Sequence, residues 1–172
     1  MDWLGDDYPF SSNALSGKHA IVCGASKGIG AATAKMLAKA GANVTAIDQG
    51  EKVIKIAKLH MLESNLDINY KQLNIEDYFS INKEKFDVIT CLEMLEHVPN
   101  PSSIIKSCVS LLKPDGELFL STINRNIKSY LGAILGGEYI LNLLPKGTHE
   151  YEKFIKPSEL CQWLRESNLE VI

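Results

Sequence analysis

The sequence predicts an α/β domain built on a parallel β-sheet. Three observations predict it: short apolar runs alternate with helix-forming stretches, the connections between them are brief, and a glycine cluster follows the first apolar run. That first run, His19 to Cys23, halts at Gly24. Ala31 to Ala40 is then rich in strong helix formers and stops at Gly41, a residue that readily ends helices. Asn43 to Asp48 reads as the second strand, Glu51 to Ser64 as the second helix and Ile68 to Leu73 as the third strand. Phe86 to Cys91 follows as strand four, Ser102 to Leu112 as a helix and Glu117 to Thr122 as strand five.

Regular alternation of this kind requires parallel strands joined by right-handed helical crossovers. The expected fold is therefore a Rossmann-type three-layer sandwich, α/β, with a parallel sheet of about five strands in the order 3-2-1-4-5. Residues 1–17 are polar, punctuated by Gly, Pro and Ser, and read as an irregular leader. Residues 18–172 read as a single domain, which 172 residues at 45% hydrophobic can fill with one core. A net charge of −3 gives no reason to expect a nucleic-acid partner. Cys23, Cys91, Cys108 and Cys161 are scattered, without a CxxC pair or a signal peptide, and read as reduced thiols of a cytoplasmic protein.

Ligands on such sheets bind beyond the carboxyl ends of the strands. Four segments stand there: Gly24 to Gly30, Asp48, Asn74 to Asp77, and Cys91 to His97. In Gly24-Ala25-Ser26-Lys27-Gly28-Ile29-Gly30 the glycines permit a tight turn and a close approach to a ligand, and the free N–H groups of a helix start favour an anion. The stretch from Ser16 to Val44 (SGKHAIVCGASKGIGAATAKMLAKAGANV) closely resembles the opening of the short-chain dehydrogenases/reductases. That resemblance implies a cofactor-binding set of Gly24, Ser26, Lys27, Gly28, Ile29 and Gly30 around an NAD(P) pyrophosphate. It ends there, because those enzymes use a Tyr-x-x-x-Lys pair and no tyrosine of this chain has a lysine four residues later.

From about Val44 onward a second resemblance takes over. AIDQGEKVIKIAKLHMLES, FDVITCLEMLEHVPNPSSIIKSCVSLLKPDGELFLSTINRN and GGEYILNLLPKGTHEYEKFIKPSEL closely resemble the ubiquinone-biosynthesis O-methyltransferases, class I enzymes that use S-adenosylmethionine (SAM) to methylate polyprenyl catechols. Class I methyltransferases carry an acid two positions before the first glycine and a compact GxGxG loop. Here Val22 holds the acidic position and the loop is the longer GASKGIG. Together the two resemblances imply an engineered or recombined hybrid: a dehydrogenase-like βα unit at 18–45 joined to a methyltransferase-like portion at 46–172 that stops short of the family's last strands. The implied cofactor is then NAD or SAM, with weak or absent methyl transfer, or an NAD-binding domain or scaffold without turnover.

Both families agree on Asp48, whose carboxylate at the end of strand two accepts hydrogen bonds from adenosine ribose hydroxyls and disfavours a 2′-phosphate. The plain alternative is a solvated helix cap. Leu92 matches a family SAM-contact position, with an ordinary core leucine as its alternative. In Glu93-Met94-Leu95-Glu96-His97, helical spacing places Glu93, Glu96 and His97 on one face, where two carboxylates and an imidazole converge on a divalent ion. The methyltransferase resemblance assigns that block to Mg2+, which lowers the pKa of the substrate hydroxyl; a solvated acidic turn is the alternative. Ile127 to Pro145 is unusually apolar. In the resembled family this region covers a polyprenyl phenol substrate and touches a membrane, which implies a cytoplasmic protein peripheral to the inner membrane; a core helix is the alternative. Lys146 and His149 fall in the same family block without a role of their own, and His19 and His60 read as structural.

Overall fold

The structure is a computed structural model that describes residues 13–126 and 151–171. These cluster into two compact units, one formed by residues 13–92 with 107–120 and the other by 93–106 with 121–126 and 151–171. The sequence suggests one domain from residue 18; the described chain packs as two centres of contact.

The first unit carries the sheet. Its strands are β1 (His19–Cys23), β2 (Asn43–Asp48), β3 (Ile68–Gln72), β4 (Phe86–Leu92) and β5 (Leu112–Ser121), whose last residue belongs to the second unit. They lie in the order β3-β2-β1-β4-β5, with β1 parallel to both β2 and β4, and β2 parallel to β3. The expected α/β Rossmann-type sheet order is the one observed. Between the strands run α1 (Gly28–Lys39), α2 (Glu51–Ser64), α3 (Ile75–Ile81) and α4 (Pro101–Leu111). Ala20, Ile21, Val22 and Cys23 are buried in succession. Because successive strand residues point to opposite faces, that run shows β1 covered on both sides.

One face packs Ala20, Val22, Val44 and Ala46 of the sheet against Ala34 of α1 and Ile54 and Ala57 of α2. Leu15, placed in the irregular leader by the sequence, packs on this core, and its N–H donates to the Ala40 carbonyl at 2.8 Å. The rest of that leader, residues 1–12, lies outside the described residues. Cys23 and Cys91 are register partners on β1 and β4, and both are buried with Cys108 as free thiols. Hydrogen bonds from Cys108 and Cys91, together with burial, push the Cys23 thiol up.

Asp87 ties the amino ends of the strands together. Its carboxylate accepts from the His19 backbone N–H at 2.8 Å, from Lys113 Nζ at 2.7 Å and from Lys18 Nζ at 3.4 Å. The His19 N–H first, then Lys113, hold this carboxyl well below the usual carboxylate range. A depressed pKa stabilises the fold above the unfolded value of about 3.9, and this contribution is lost as pH falls from there through the folded value. Asp87→Asn is therefore expected to flatten the acid limb of stability, read as urea midpoints that fall less than the parent's between about pH 6 and about pH 2.5.

Candidate functional site

The glycine loop forms where β1 ends. Gly24 and Gly28 take φ of +64° and +56°, the left-handed region that favours glycine. Gly30 is constrained differently, since a Cβ there would stand 2.3 Å from the Gly24 carbonyl oxygen. The first turn of α1 thus presses directly on the start of the loop. Lys27, at the helix N-cap, is extended and its side chain makes no capping hydrogen bond. Lys27, Gly28 and Ile29 are exposed, while Ala25 and Ser26 are buried.

Asp48 stands beside this loop, half-buried at the end of β2. Its Oδ2 accepts from the Ser26 hydroxyl and, weakly, from the Ser26 N–H at 3.4 Å; its Oδ1 accepts from the Gly50 N–H at 3.0 Å. Ala25 N–H donates to the Ile47 carbonyl at 3.1 Å, so the loop is pinned to β2 twice. The residues expected to bind a cofactor thus meet as one construction: Gly24, Ser26, Gly28 and Gly30 shape the loop, and Asp48 locks to it through Ser26. Lys27 and Ile29 lie on its open side. Leu92 is the half-buried last residue of β4.

The second unit holds the acidic block, and here the helical expectation gives way. Leu95–His97 form a single 3-10 turn, and Glu93 lies before it with φ +47°. Without an α-helix, the spacing of Glu93, Glu96 and His97 no longer sets them on one face. Glu93 closes on the end of β5: its N–H donates to the Ser121 carbonyl at 3.1 Å, and the Ser121 hydroxyl donates to Glu93 Oε1 at 2.6 Å. Glu96 is 3% exposed; Oε2 accepts from the Thr122 hydroxyl at 3.0 Å, and Oε1 is buried without a partner among the described residues. His97 is exposed. Among the described residues no three His, Cys, Asp or Glu are placed to hold a metal ion, so the expected three-donor magnesium site is not assembled.

Ser121 and Thr122 escaped the sequence reading as site residues, though their place at the carboxyl end of β5 marked them. Asn74 to Asp77, flagged for the same reason, serves local structure: the Asn74 side chain accepts from the Asp77 N–H at 2.7 Å and caps α3. Also in the second unit, Arg125 donates to the Glu152 carbonyl at 3.2 Å and pairs with Glu159 of α5 (Pro157–Glu166). Phe154 and Ile155 are buried.

Residues 17–172 match the family of methyltransferase domains. The ubiquinone biosynthesis O-methyltransferase of Dechloromonas aromatica is 48% identical over 170 residues, covering 99% of this chain and 70% of that protein. Its counterpart in Actinobacillus pleuropneumoniae is 54% identical over 162 residues, covering 92% of this chain and 68% of that protein. The chain belongs to the ubiquinone-biosynthesis O-methyltransferase family.

Solved structures agree with this family's fold. A putative methyltransferase from Bacillus halodurans superposes with a TM-score of 0.70 at 20% identity, covering 96% of this chain and 66% of that one. A plantazolicin methyltransferase solved in complex with a triazolic desmethylPZN analog and SAH gives 0.65 at 18% identity, covering 87% of this chain and 53% of that one. The chain thus spans about two thirds of the O-methyltransferases it resembles and less of some structural neighbours. The family match begins at residue 17 and so takes in the glycine loop, where the sequence suggests a dehydrogenase-like unit. Nothing in these likenesses supports a hybrid or engineered origin. No helix among the described residues is long and apolar enough to cross a membrane. The apolar stretch 127–145, with Lys146 and His149, lies outside the described residues.

Proposed function

We propose that this chain is the cofactor-binding portion of a SAM-dependent O-methyltransferase that acts on a phenolic hydroxyl of a polyprenyl catechol. The observation that carries this reading is identity of about one half to ubiquinone biosynthesis O-methyltransferases over nearly the whole chain.

The residues present fit an adenosine-bearing cofactor. A carboxylate offers about four acceptor positions. Ser26 and Gly50 use both oxygens of Asp48 yet leave Oδ1 able to accept again, so a ribose hydroxyl has an acceptor without disturbing the loop. A second hydroxyl competes with the Ser26 hydroxyl for Oδ2. At Gly28 a Cβ would meet nothing within 4 Å among the described residues, which marks open space on the outer side of the loop. Leu92 supplies an apolar surface from the end of β4. The cofactor's chemistry is a methyl group on a sulfonium, an electrophile open to attack by a phenol oxygen. The role of the chain is to hold the adenosine through Asp48 and Gly24 to Gly30, fixing the direction in which that methyl faces.

Magnesium is a narrower part of the proposal. As they stand, Glu93, Glu96 and His97 do not fit an ion, because Ser121 engages Glu93. Glu96 Oε1, buried without a partner among the described residues, favours a cation. NAD is the second reading, favoured by the length of the loop and by the uncapped start of α1, which suits a pyrophosphate.

Calorimetric titration with SAM, NAD, NADP and magnesium separates these readings, combined with transfer of radiolabelled methyl from SAM to a polyprenyl catechol. The expected result is SAM binding, with transfer detectable but slow. NAD binding without SAM binding transfers the assignment to the second reading. Magnesium uptake by the parent that is lost in a Glu93→Ala/Glu96→Ala double variant restores the ion; equal behaviour of the two removes it.

A further inference from the structure

The sheet is unfinished at β3. This strand is the last in the order on its side, and its outward backbone groups have no strand partner among the described residues. Ile68 N–H turns instead to Met61 Sδ at 3.4 Å, a weak acceptor. By the alternation of a strand, the N–H and C=O of Tyr70 face the same way. Beside this edge, Leu59 and Leu62 of α2 are 62% and 75% exposed. With Lys58, Met61, Ile68 and Tyr70 they border an open cavity of about 490 Å3.

We propose that this edge pairs with the same edge of a second copy of the chain, β3 running antiparallel to β3 about a twofold axis at Asn69. Charge complementarity selects this register. Centring on Asn69 sets Asp67 opposite Lys71 of the second copy, and Lys71 opposite its Asp67. Ile68 falls opposite Tyr70, and these are the residues whose backbone groups point outward, so each such pair exchanges both of its N–H···O bonds. Registers centred on Ile68 or Tyr70 place Asp67 opposite Asn69 or Leu73 and lose the ion pairs.

The faces agree as well. Asn69 and Lys71 share one face of β3, while Ile68 and Tyr70 turn into the core beneath α2; extending the strand one residue back, as the pairing requires, puts Asp67 on the face of Asn69 and Lys71. A twofold axis perpendicular to the sheet keeps like faces together. The charged rows therefore meet on one side, and on the other the two α2 helices come side by side, removing Leu59 and Leu62 from water. Lys71 Nζ now lies 4.9 Å from the Tyr78 ring centroid, on the side chain's flexible end, and has only to swing outward.

Sedimentation velocity of the full chain over a concentration series tests this, with folding followed by circular dichroism. A reversible dimer is expected, and Asp67→Lys or Lys71→Asp should each raise its dissociation constant by about tenfold, since like charges then face each other twice. The double swap Asp67→Lys/Lys71→Asp should restore the parent value. Because Asp67→Lys leaves the Lys71 contact with Tyr78 in place, its effect cannot come from losing that contact. A chain that stays monomeric throughout, single variants that dimerise like the parent, or a double swap without rescue each overturn the proposal.

Discussion

Gly30→Val is expected to cost about 3 kcal/mol or more of stability, the upper range of overpacking, because the new atoms must enter space already held by backbone. The ideal Cβ position lies 2.3 Å from the Gly24 carbonyl oxygen and 2.9 Å from its carbon, and neither belongs to a side chain that can swing aside. Relief requires α1 to lift from the loop, which also loosens the Ala25 and Ser26 bonds to β2. Gly28→Ala provides the contrast. Its Cβ meets open space, so only the φ of +56° is penalised, at about 1 kcal/mol. Urea unfolding of the two variants beside the parent checks the order; equal midpoints for Gly28→Ala and Gly30→Val would show that the loop and helix do not press on one another as described.

Asp48→Ala is expected to weaken SAM binding by about 10- to 100-fold, the loss of one or two hydrogen bonds to a charged acceptor. Asp48→Asn, which keeps one acceptor oxygen and the shape, should fall between. Ser26→Ala should leave affinity equal or higher, because it releases Oδ2 to a second ribose hydroxyl. Calorimetry with SAM reads all three, and circular dichroism separates binding loss from unfolding. Affinity unchanged in Asp48→Ala would remove the ribose role from that carboxylate.

Much of the fold was legible because its elements are long, periodic and bounded by glycine or polar residues. Strand β2 and helix α2 begin and end where the sequence places them, at Asn43–Asp48 and Glu51–Ser64. The short helix α3 was not, since Ile75–Ile81 carries too few turns for periodicity to show; its signal was the Asn74 cap. Strand β5 starts at Leu112 rather than Glu117, because Lys113-Pro114-Asp115-Gly116 reads as a turn. Proline is tolerated there because, among the described residues, β5 is the last strand on its side of the sheet, where a missing N–H need not break a ladder.

The candidate site was legible to the level of which residues, not of how they meet. Gly24, Gly28, Gly30 and Asp48 stand where a parallel sheet presents its ligand loops. The Ser26–Asp48 bond is tertiary and left no trace in spacing. The acidic block misled because Glu93, Glu96 and His97 have helical spacing in a segment too short for a helix. Pro99, two residues past His97, was the available warning, since the residue before a proline is pushed away from helical geometry.

Glu93 leaves one consequence. A side chain larger than glycine in the left-handed region is held there at a cost of about 1–2 kcal/mol, and its grip on Ser121 offsets that cost. The backbone at this position would rest more easily as glycine, yet glycine has no carboxylate with which to hold the end of β5. The turn is thus a sprung catch: whatever draws the Glu93 carboxylate off Ser121 removes one of the bonds that hold the peptide in its unfavourable geometry and leaves the load on the Glu93 N–H, which still donates to Ser121.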